Sequence, residues 1–151
     1  MTLSELDQLD FSDPNTPNVL LDQLRELFGV ELGIISEIEE DTYIIKHISC
    51  TDDFKSITIG TELDVDKTYC EVVIKDKQVK TYQHVGKNPD MSLHPVYLAF
   101  QLETYIGAPI IKDGSVVGTL NFSSPRDRNN PFSDEDKQAI SKLALKLATI
   151  Y

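Results

Sequence analysis

Residues 104–123 read TYIGAPIIKDGSVVGTLNFS and form two β-rich runs around a short polar step. Thr104–Ile111 and Ser115–Ser123 are rich in β-branched and aromatic residues, which favour strands. Between the two runs, Asp113-Gly114 provides the positive φ angles that a tight hairpin requires. This stretch therefore predicts a long antiparallel β-hairpin.

A second hairpin is predicted nearer the N-terminus. Leu32–Ile38 and Thr42–Cys50 are again β-branched, and the polar step Glu39-Glu40-Asp41 separates them. Between the two hairpins the patterns are weaker and predict only short elements, with strands near 57–59 and over 78–82 and helices over 68–75 and 94–101.

An amphipathic helix is predicted before the first hairpin. We expect Thr16 to cap it and Pro17 to lie in the first turn, where a missing N–H costs nothing. Gly29 is expected to end it. Its apolar residues recur at spacings of three and four, as one core-facing stripe should: Leu20, Leu21, Leu24, Leu27 and Phe28.

A second terminal helix is predicted after the long hairpin. Ser133-Asp134-Glu135-Asp136 has the pattern of a capping box with acids in the first turn. No Gly or Pro follows before Tyr151, so we expect the helix to continue in a longer natural protein. Its predicted buried stripe is Ile140, Leu143, Ala144 and Leu147.

The size of the chain indicates one domain. A length of 151 residues suits a single hydrophobic core, which we assign to residues 16–151. Residues 1–15 carry several acids and few bulky apolar groups after Phe11, so a loose arm or linker is expected there.

Charge and hydropathy exclude several classes of partner. The 14 basic and 25 acidic residues leave a net charge of -11, which repels nucleic acids and anionic lipids. No apolar run is long enough to cross a membrane, and the N-terminus does not resemble a signal peptide. A cytoplasmic location with Cys50 and Cys70 as free thiols is therefore expected.

The motifs resemble those of the GAF domain family. The resemblance is strongest in Glu103–Ile110, Asp113-Gly114, Val117–Phe122 and Phe132–Asp136, and looser in Phe28-Gly29-Val30 and Ile59-Gly60-Thr61. It implies an α+β fold with a central antiparallel sheet of about six strands. Terminal helices are then expected on one face of the sheet, and a ligand pocket with short helices on the other.

The resemblance also implies where a ligand would bind. Residues 69–74, 78–84 and 94–101 should wall the pocket, and aromatic faces with a few polar tips suit a small-molecule cavity. Packing of the same aromatic side chains in an ordinary core is the alternative that stays open. The candidate ligand-binding residues are Tyr69, Cys70, His94, Tyr97, Phe100, Tyr105 and Asn121.

The function implied is that of a non-catalytic sensory or regulatory domain. It would bind a small molecule or mediate dimerisation through the terminal helices. It would then signal to an output domain, such as a histidine kinase of a bacterial two-component system or a cyclic-dinucleotide enzyme. The sequence does not identify the ligand or any cofactor.

The main alternative is a thiol-dependent free methionine sulfoxide reductase of the GAF type. Cys70 lies near a predicted helix start, where the helix dipole can lower a thiol pKa, and Cys50 is the second thiol. That subfamily's extra loop cysteine and the acidic pair in the strand at 120–123 are absent.

Other ligands are not supported by the sequence. Residues 93–102 have no bilin-attachment cysteine, and the signature of cyclic-nucleotide-binding relatives is missing. A metal site would require the fold to bring His47, His84 and His94 together, so no metal is predicted. Arg126 and Arg128 could clamp an anionic ligand, although solvated arginines are more common.

Overall fold

The computed structural model describes residues 2–151. One six-stranded sheet has the order β3-β2-β1-β6-β5-β4. Every neighbouring pair in it is antiparallel. The strands are β1 (Leu32–Glu39), β2 (Thr42–Cys50), β3 (Glu62–Asp64), β4 (Lys80–Tyr82), β5 (Thr104–Lys112) and β6 (Ser115–Ser124).

Within residues 2–151, five α-helices accompany the sheet. They are α1 (Leu3–Leu6), α2 (Thr16–Phe28), α3 (Cys70–Asp76), α4 (Pro95–Phe100) and α5 (Asp134–Leu147), and α5 continues into a 3-10 turn at Ala148–Ile150. None of the helices in residues 2–151 is both long and apolar enough to cross a lipid bilayer.

Both predicted hairpins are confirmed. The long one pairs Thr104 with Ser124 at its open end and Lys112 with Ser115 next to the turn. Asp113 and Gly114 have φ angles of 53° and 81°, as a two-residue turn of type I′ requires. In the β1–β2 hairpin, Glu40 takes the positive φ of 55°.

The terminal helices pack on one face of the sheet. The buried side chains of α2 and α5 meet Ile35, Ile106, Leu120 and Phe122 in a single apolar cluster. Gly29 ends α2 in the left-handed region, and Ser133 and Asp136 form the predicted capping box on α5. These two helix ends are thus confirmed.

Two details of α2 differ from the prediction. Leu27 is 45% exposed, since it lies outside the arc of α2 that faces the sheet. Asn15, not Thr16, is the N-cap residue. Thr16 is itself buried, and its hydroxyl donates a hydrogen bond to the Asp10 carbonyl instead of accepting one from the helix.

The predicted strand at 57–59 is wrong. Those residues lie in a loop, and the third strand is three residues long at Glu62–Asp64, where it pairs with Thr42–Ile44 at the sheet edge. Gly60, with a φ of 89°, turns the chain before the strand, and its N–H donates a hydrogen bond to the Ile45 carbonyl. All three residues of β3 are exposed, so no apolar pattern marks the strand in the sequence.

The N-terminal segment is packed against α5, unlike the loose arm that its composition predicts. Leu6 is fully buried in the helix-side core. The Asp7 carboxylate pairs with Lys142 at 2.8 Å and Lys146 at 2.9 Å. Met1 lies outside the described residues. The segment packs against the rest of the domain because its few apolar side chains contact the helix-side core.

The opposite face of the sheet carries a second apolar cluster. Side chains from β1, β2 and β5 pack there against α3 and the loops on either side of α4. The α+β architecture expected from the resemblance is therefore present, with long helices on one face and short ones on the other.

Candidate functional site

A cavity of about 260 Å³ lies on the short-helix face of the sheet. Strands β1, β2 and β6 form its floor, α3 and α4 contribute to its walls, and loop residues 56–61 line one side. The lining residues are Leu32, Ile34, Tyr43, Ile45, Ser56, Ile57, Thr61, Leu63, Thr68, Tyr69, Cys70, Val96, Phe100, Leu102, Tyr105, Asn121 and Ser123.

Strand alternation on β6 decides which side chains reach this floor. Leu120 and Phe122 point into the helix-side core. Because successive residues of a strand face opposite sides, Thr119, Asn121 and Ser123 point toward the cavity side. All three are buried, so β6 places a polar row beneath a mainly apolar space.

This polar row belongs to a buried hydrogen-bond network. The Asn121 amide donates to Tyr43 Oη at 3.1 Å and to Thr119 Oγ1 at 3.0 Å. The Thr119 and Ser36 hydroxyls are 2.6 Å apart, and the Thr119 N–H donates to Ser36 Oγ at 3.0 Å. Both amide protons of Asn121 are thus used within the protein, and its Oδ1 acceptor is what it can offer a ligand.

The Cys70 thiol is sealed at the edge of the same network. Its Sγ lies 3.2 Å from Tyr105 Oη and 3.3 Å from Thr119 Oγ1, and the residue is 2% exposed. Burial raises the pKa of this thiol. The lowered thiol pKa considered from the position of Cys70 at a helix start is therefore not found, because desolvation by burial is the largest influence on this thiol.

The tyrosines around the cavity are neutral phenols. Burial raises the pKa of Tyr43 and Tyr105 well above the ordinary value, and that of Tyr69 is raised by the same cause. The ring of Tyr69 packs edge-on against Tyr105 at 5.4 Å, and its hydroxyl donates to the Leu102 carbonyl at 2.8 Å. These contacts give the cavity wall a fixed aromatic surface.

Five of the seven residues proposed from the sequence line the cavity: Tyr69, Cys70, Phe100, Tyr105 and Asn121. The other two stand behind the wall. His94 packs on the Tyr69 ring at 5.1 Å, and its Nδ1 accepts the Val96 N–H as a cap of α4. Tyr97 donates its hydroxyl to Glu103 at 2.8 Å. Both side chains position α4 instead of forming the cavity surface.

Sequence reasoning missed the contribution of β1, β2 and the loop after β2. Ile34, Tyr43 and Ile45 form much of the floor, and Ile57 and Leu63 lie toward the rim. The signal in the sequence that could have located Tyr43 and Ile45 is alternation along β2, which places both on the same face of the sheet. It does not say which face would meet the cavity.

The two arginines considered as an anion clamp are used to hold the chain together. Arg126 forms an ion pair with Glu31 at 2.6 Å and donates to the Gly29 carbonyl at 2.9 Å. Arg128 donates to the Phe28 carbonyl at 2.8 Å and lies 4.1 Å from the centre of the Phe132 ring. Both tie the loop after β6 to the C-terminal end of α2.

The three histidines lie in separate places. His47 pairs with Asn18, His84 lies 3.0 Å from the Asp127 carboxylate, and His94 packs on Tyr69. Within residues 2–151, no three His, Cys, Asp or Glu side chains are grouped so as to hold a metal ion. Cys50 and Cys70 are both free thiols.

Comparison with known proteins identifies the fold. The family model described as GAF domain matches residues 18–150. No curated protein matches the sequence. Three solved structures that match this chain are 13–16% identical to it, and similarity at this level of identity shows the fold alone.

Three of these structures represent different kinds of protein. The GAF domain of an Acinetobacter phosphoenolpyruvate-protein phosphotransferase is 13% identical, with a TM-score of 0.76 over 98% of this chain and 89% of that one. The phycocyanobilin-bound GAF domain of a cyanobacterial phytochrome is 16% identical, with a TM-score of 0.77 over 99% and 93%. A type II free methionine-R-sulfoxide reductase from Thermoplasma acidophilum is 15% identical, with a TM-score of 0.71 over 99% and 94%.

The family match spans nearly the whole chain, and the sheet order, the helix placement and the cavity are consistent with it. This protein belongs to the GAF domain family.

Proposed function

We propose that this chain is a non-catalytic sensory GAF domain that binds a small molecule in the cavity over β1, β2 and β6. The observation that carries the proposal is the cavity itself, which combines an apolar body with one buried polar row. Concave, mainly apolar sites with a few placed polar groups are the usual form of small-molecule sites. In the full-length protein the domain would be cytoplasmic and would regulate an output domain, such as a bacterial histidine kinase or cyclic-dinucleotide enzyme.

A route for the signal follows from contacts around Ser36. On the cavity side, its hydroxyl bonds to Thr119, which in turn bonds to Asn121. On the helix side, the Tyr151 hydroxyl donates to the Ser36 carbonyl. A side chain on Gly118 would collide with both the Ser36 carbonyl and the Tyr151 hydroxyl, so glycine makes room for this contact. Ligand binding that moves Asn121 would thus be transmitted to the chain end after α5.

Native mass spectrometry of the protein purified from cells tests ligand binding. Ser123→Leu fills part of the cavity, and Ser4→Leu adds the same side chain at an exposed position on α1 as a matched control. We expect a retained small-molecule mass in the wild type and in Ser4→Leu that Ser123→Leu loses. Equal retention in all three proteins would contradict binding in this cavity.

Amide NMR spectra of the same variants test the signal route. Because Ser123→Leu partly occupies the cavity, we expect it to shift the amide signals of residues 148–151, whereas Ser4→Leu leaves them in place. Unchanged signals at residues 148–151 in Ser123→Leu would contradict coupling through Ser36.

A free methionine sulfoxide reductase is the second candidate. It is favoured by the presence of Cys70 at the cavity wall and by reductases among the structures of the same fold. The raised pKa of the Cys70 thiol argues against it, because the thiolate is the nucleophile in thiol chemistry. Assay of NADPH-coupled methionine sulfoxide reduction by the wild type, Cys50→Ser and Cys70→Ser decides: turnover that Cys70→Ser abolishes would establish the enzyme.

A further inference from the structure

The cavity has no charged side chain in its lining. Its hydrogen-bonding residues are serine, threonine, tyrosine, cysteine and asparagine, and the rest are aliphatic or phenylalanine. Among residues 2–151, the arginines after β6 are directed to Glu31 and to the end of α2, and no lysine lines the space. An entering carboxylate, phosphate or ammonium group would lose its water shell without gaining an opposite charge.

The ionisable groups of the lining are also held in their neutral forms. Burial raises the pKa of Cys70, Tyr43 and Tyr105, so none of them supplies a negative charge near neutral pH. Just behind the wall, burial lowers the pKa of His94, so this imidazole does not supply a positive charge. The cavity is therefore electrically neutral as well as mainly apolar.

The volume sets the size of the occupant. An engineered protein cavity of roughly 150 Å³ holds one benzene molecule, which has six carbon atoms. In proportion, a cavity of about 260 Å³ has room for about ten non-hydrogen atoms. A fused two-ring molecule or a substituted single ring is of this size.

The polar row defines one point of recognition. No residue of the described chain donates a hydrogen bond to Asn121 Oδ1, and this acceptor remains open to the cavity. Ser123, two residues further along β6 on the same face, adds a hydroxyl to the lining. A ligand with a single N–H or O–H donor would complete the hydrogen bonding of Asn121.

From these observations we propose that the cavity binds an uncharged, mainly apolar ring compound of about ten non-hydrogen atoms that donates one hydrogen bond to Asn121 Oδ1. The proposal rests on the sensory function proposed above and specifies the chemical class of its ligand. Charged amino acids, nucleotides and carboxylate-bearing pigments are excluded from this class.

Four probes test the class by NMR titration of the isotope-labelled domain with assigned amides. Indole is neutral and donates one hydrogen bond, and indene has the same shape without the donor. Indole-3-carboxylate adds a negative charge to the indole ring, and methionine sulfoxide is a zwitterion. We expect indole to shift amides lining the cavity at millimolar concentration, indene to bind about five- to tenfold more weakly for want of the hydrogen bond, and neither charged probe to shift them.

The variant Asn121→Val tests the recognition point. It removes the Oδ1 acceptor, so we expect indole to lose its advantage over indene, with indene binding retained as proof that the cavity is intact. If Asn121→Val disrupts the fold, Ser123→Leu replaces it, and both neutral probes should then lose their cavity shifts. An indole preference that persists in Asn121→Val would overturn the role of Asn121.

The outcomes separate this proposal from the sensory function. Cavity shifts with indole-3-carboxylate or methionine sulfoxide as strong as those with indole would overturn the neutral class and leave small-molecule binding standing. Cavity shifts with none of the four probes would overturn both. Indole shifts confined to amides away from the cavity would also count against both.

Discussion

Thr119→Val tests the buried network with little change in side-chain shape. The substitution replaces a hydroxyl that lies 2.6 Å from Ser36 Oγ, 3.0 Å from the Asn121 amide nitrogen and 3.3 Å from Cys70 Sγ. Thr119 is fully buried, so no water can replace the lost partner. The Asn121 amide then loses one of its two acceptors, and the hydrogen bond between the Ser36 and Thr119 hydroxyls is lost.

The expected loss of stability follows from these two lost hydrogen bonds. A buried donor left without an acceptor costs about 1–3 kcal/mol and the lost Ser36–Thr119 hydrogen bond about 1 kcal/mol more, so Thr119→Val should lower the free energy of unfolding by about 2–4 kcal/mol. With a urea m-value of about 2 kcal/mol/M, the unfolding midpoint falls by about 1–2 M. Thr149→Val, an exposed threonine bonded only to the Lys146 carbonyl, serves as the matched control and should change stability by less than about 0.5 kcal/mol.

Urea unfolding followed by circular dichroism gives the unfolding midpoints of Thr119→Val and Thr149→Val. The same measurement on Ser36→Ala and on the Ser36→Ala, Thr119→Val double variant completes a double-mutant cycle. Because both substitutions remove the same hydrogen bond between the Ser36 and Thr119 hydroxyls, the double variant should lose about 1 kcal/mol less than the sum of the two single losses. A Thr119→Val midpoint equal to that of Thr149→Val would refute the role of the network. Strict additivity with Ser36→Ala would refute the pairing.

Three further predictions concern thiols, assembly and pH. The Cys70 thiol should react with a disulfide reagent at pH 8 only as fast as the protein unfolds, whereas the partly exposed Cys50 should react sooner. Fast reaction of both thiols would contradict the burial of Cys70. The domain should form a dimer through its terminal helices. Leu145→Glu should make it monomeric, because Leu145 is an exposed apolar residue of α5. Light scattering that gives a monomeric wild type at high concentration would rule out the dimer. Folding lowers the pKa of His94 and His47, so their neutral forms favour the native state. This contribution to stability is present above pH 6.5 and decreases as the pH falls below 6.5. His94→Gln should make the unfolding midpoint depend less on pH below 6.5, and an unchanged slope would count against this prediction.

The structure limits which residues of the last helix are exposed for the proposed dimer contact. The apolar residues at the end of the last helix are Leu147, Ile150 and Tyr151. Leu147 is buried in the core, and Tyr151 is bonded to the Ser36 carbonyl. Of these three, Ile150 is the exposed apolar residue, and Leu145 is a further exposed apolar residue of α5 that the proposed dimer contact can use.

Most of the fold follows from local sequence patterns. The two hairpins, the left-handed end of α2 and the capping box of α5 each depend on residues within a few positions of one another. The predictions that were wrong concern residues whose structure depends on contacts with distant parts of the chain. The strand at Glu62–Asp64 exists only because the edge of β2 offers it a partner, and Leu6 is buried only because α5 and the sheet provide a place for it.

The candidate site was predicted in part. Tyr69, Cys70 and Phe100 were predicted because the family resemblance locates the segments that face the sheet. Ile34, Tyr43 and Ile45 were not found, because the strand pattern shows that side chains alternate but not which set faces the cavity.

By itself, the sequence determined the α+β class, the long hairpin and the two capped or glycine-terminated helices, because turns and caps act between neighbouring residues. Only the tertiary structure decided that the cavity is neutral, that Cys70 is a sealed thiol and that Asn121 meets Tyr43. Asn121 and Tyr43 are 78 positions apart and belong to strands on either side of β1. Burial, pKa and the set of residues that converge arise from packing over such distances, which no local pattern records.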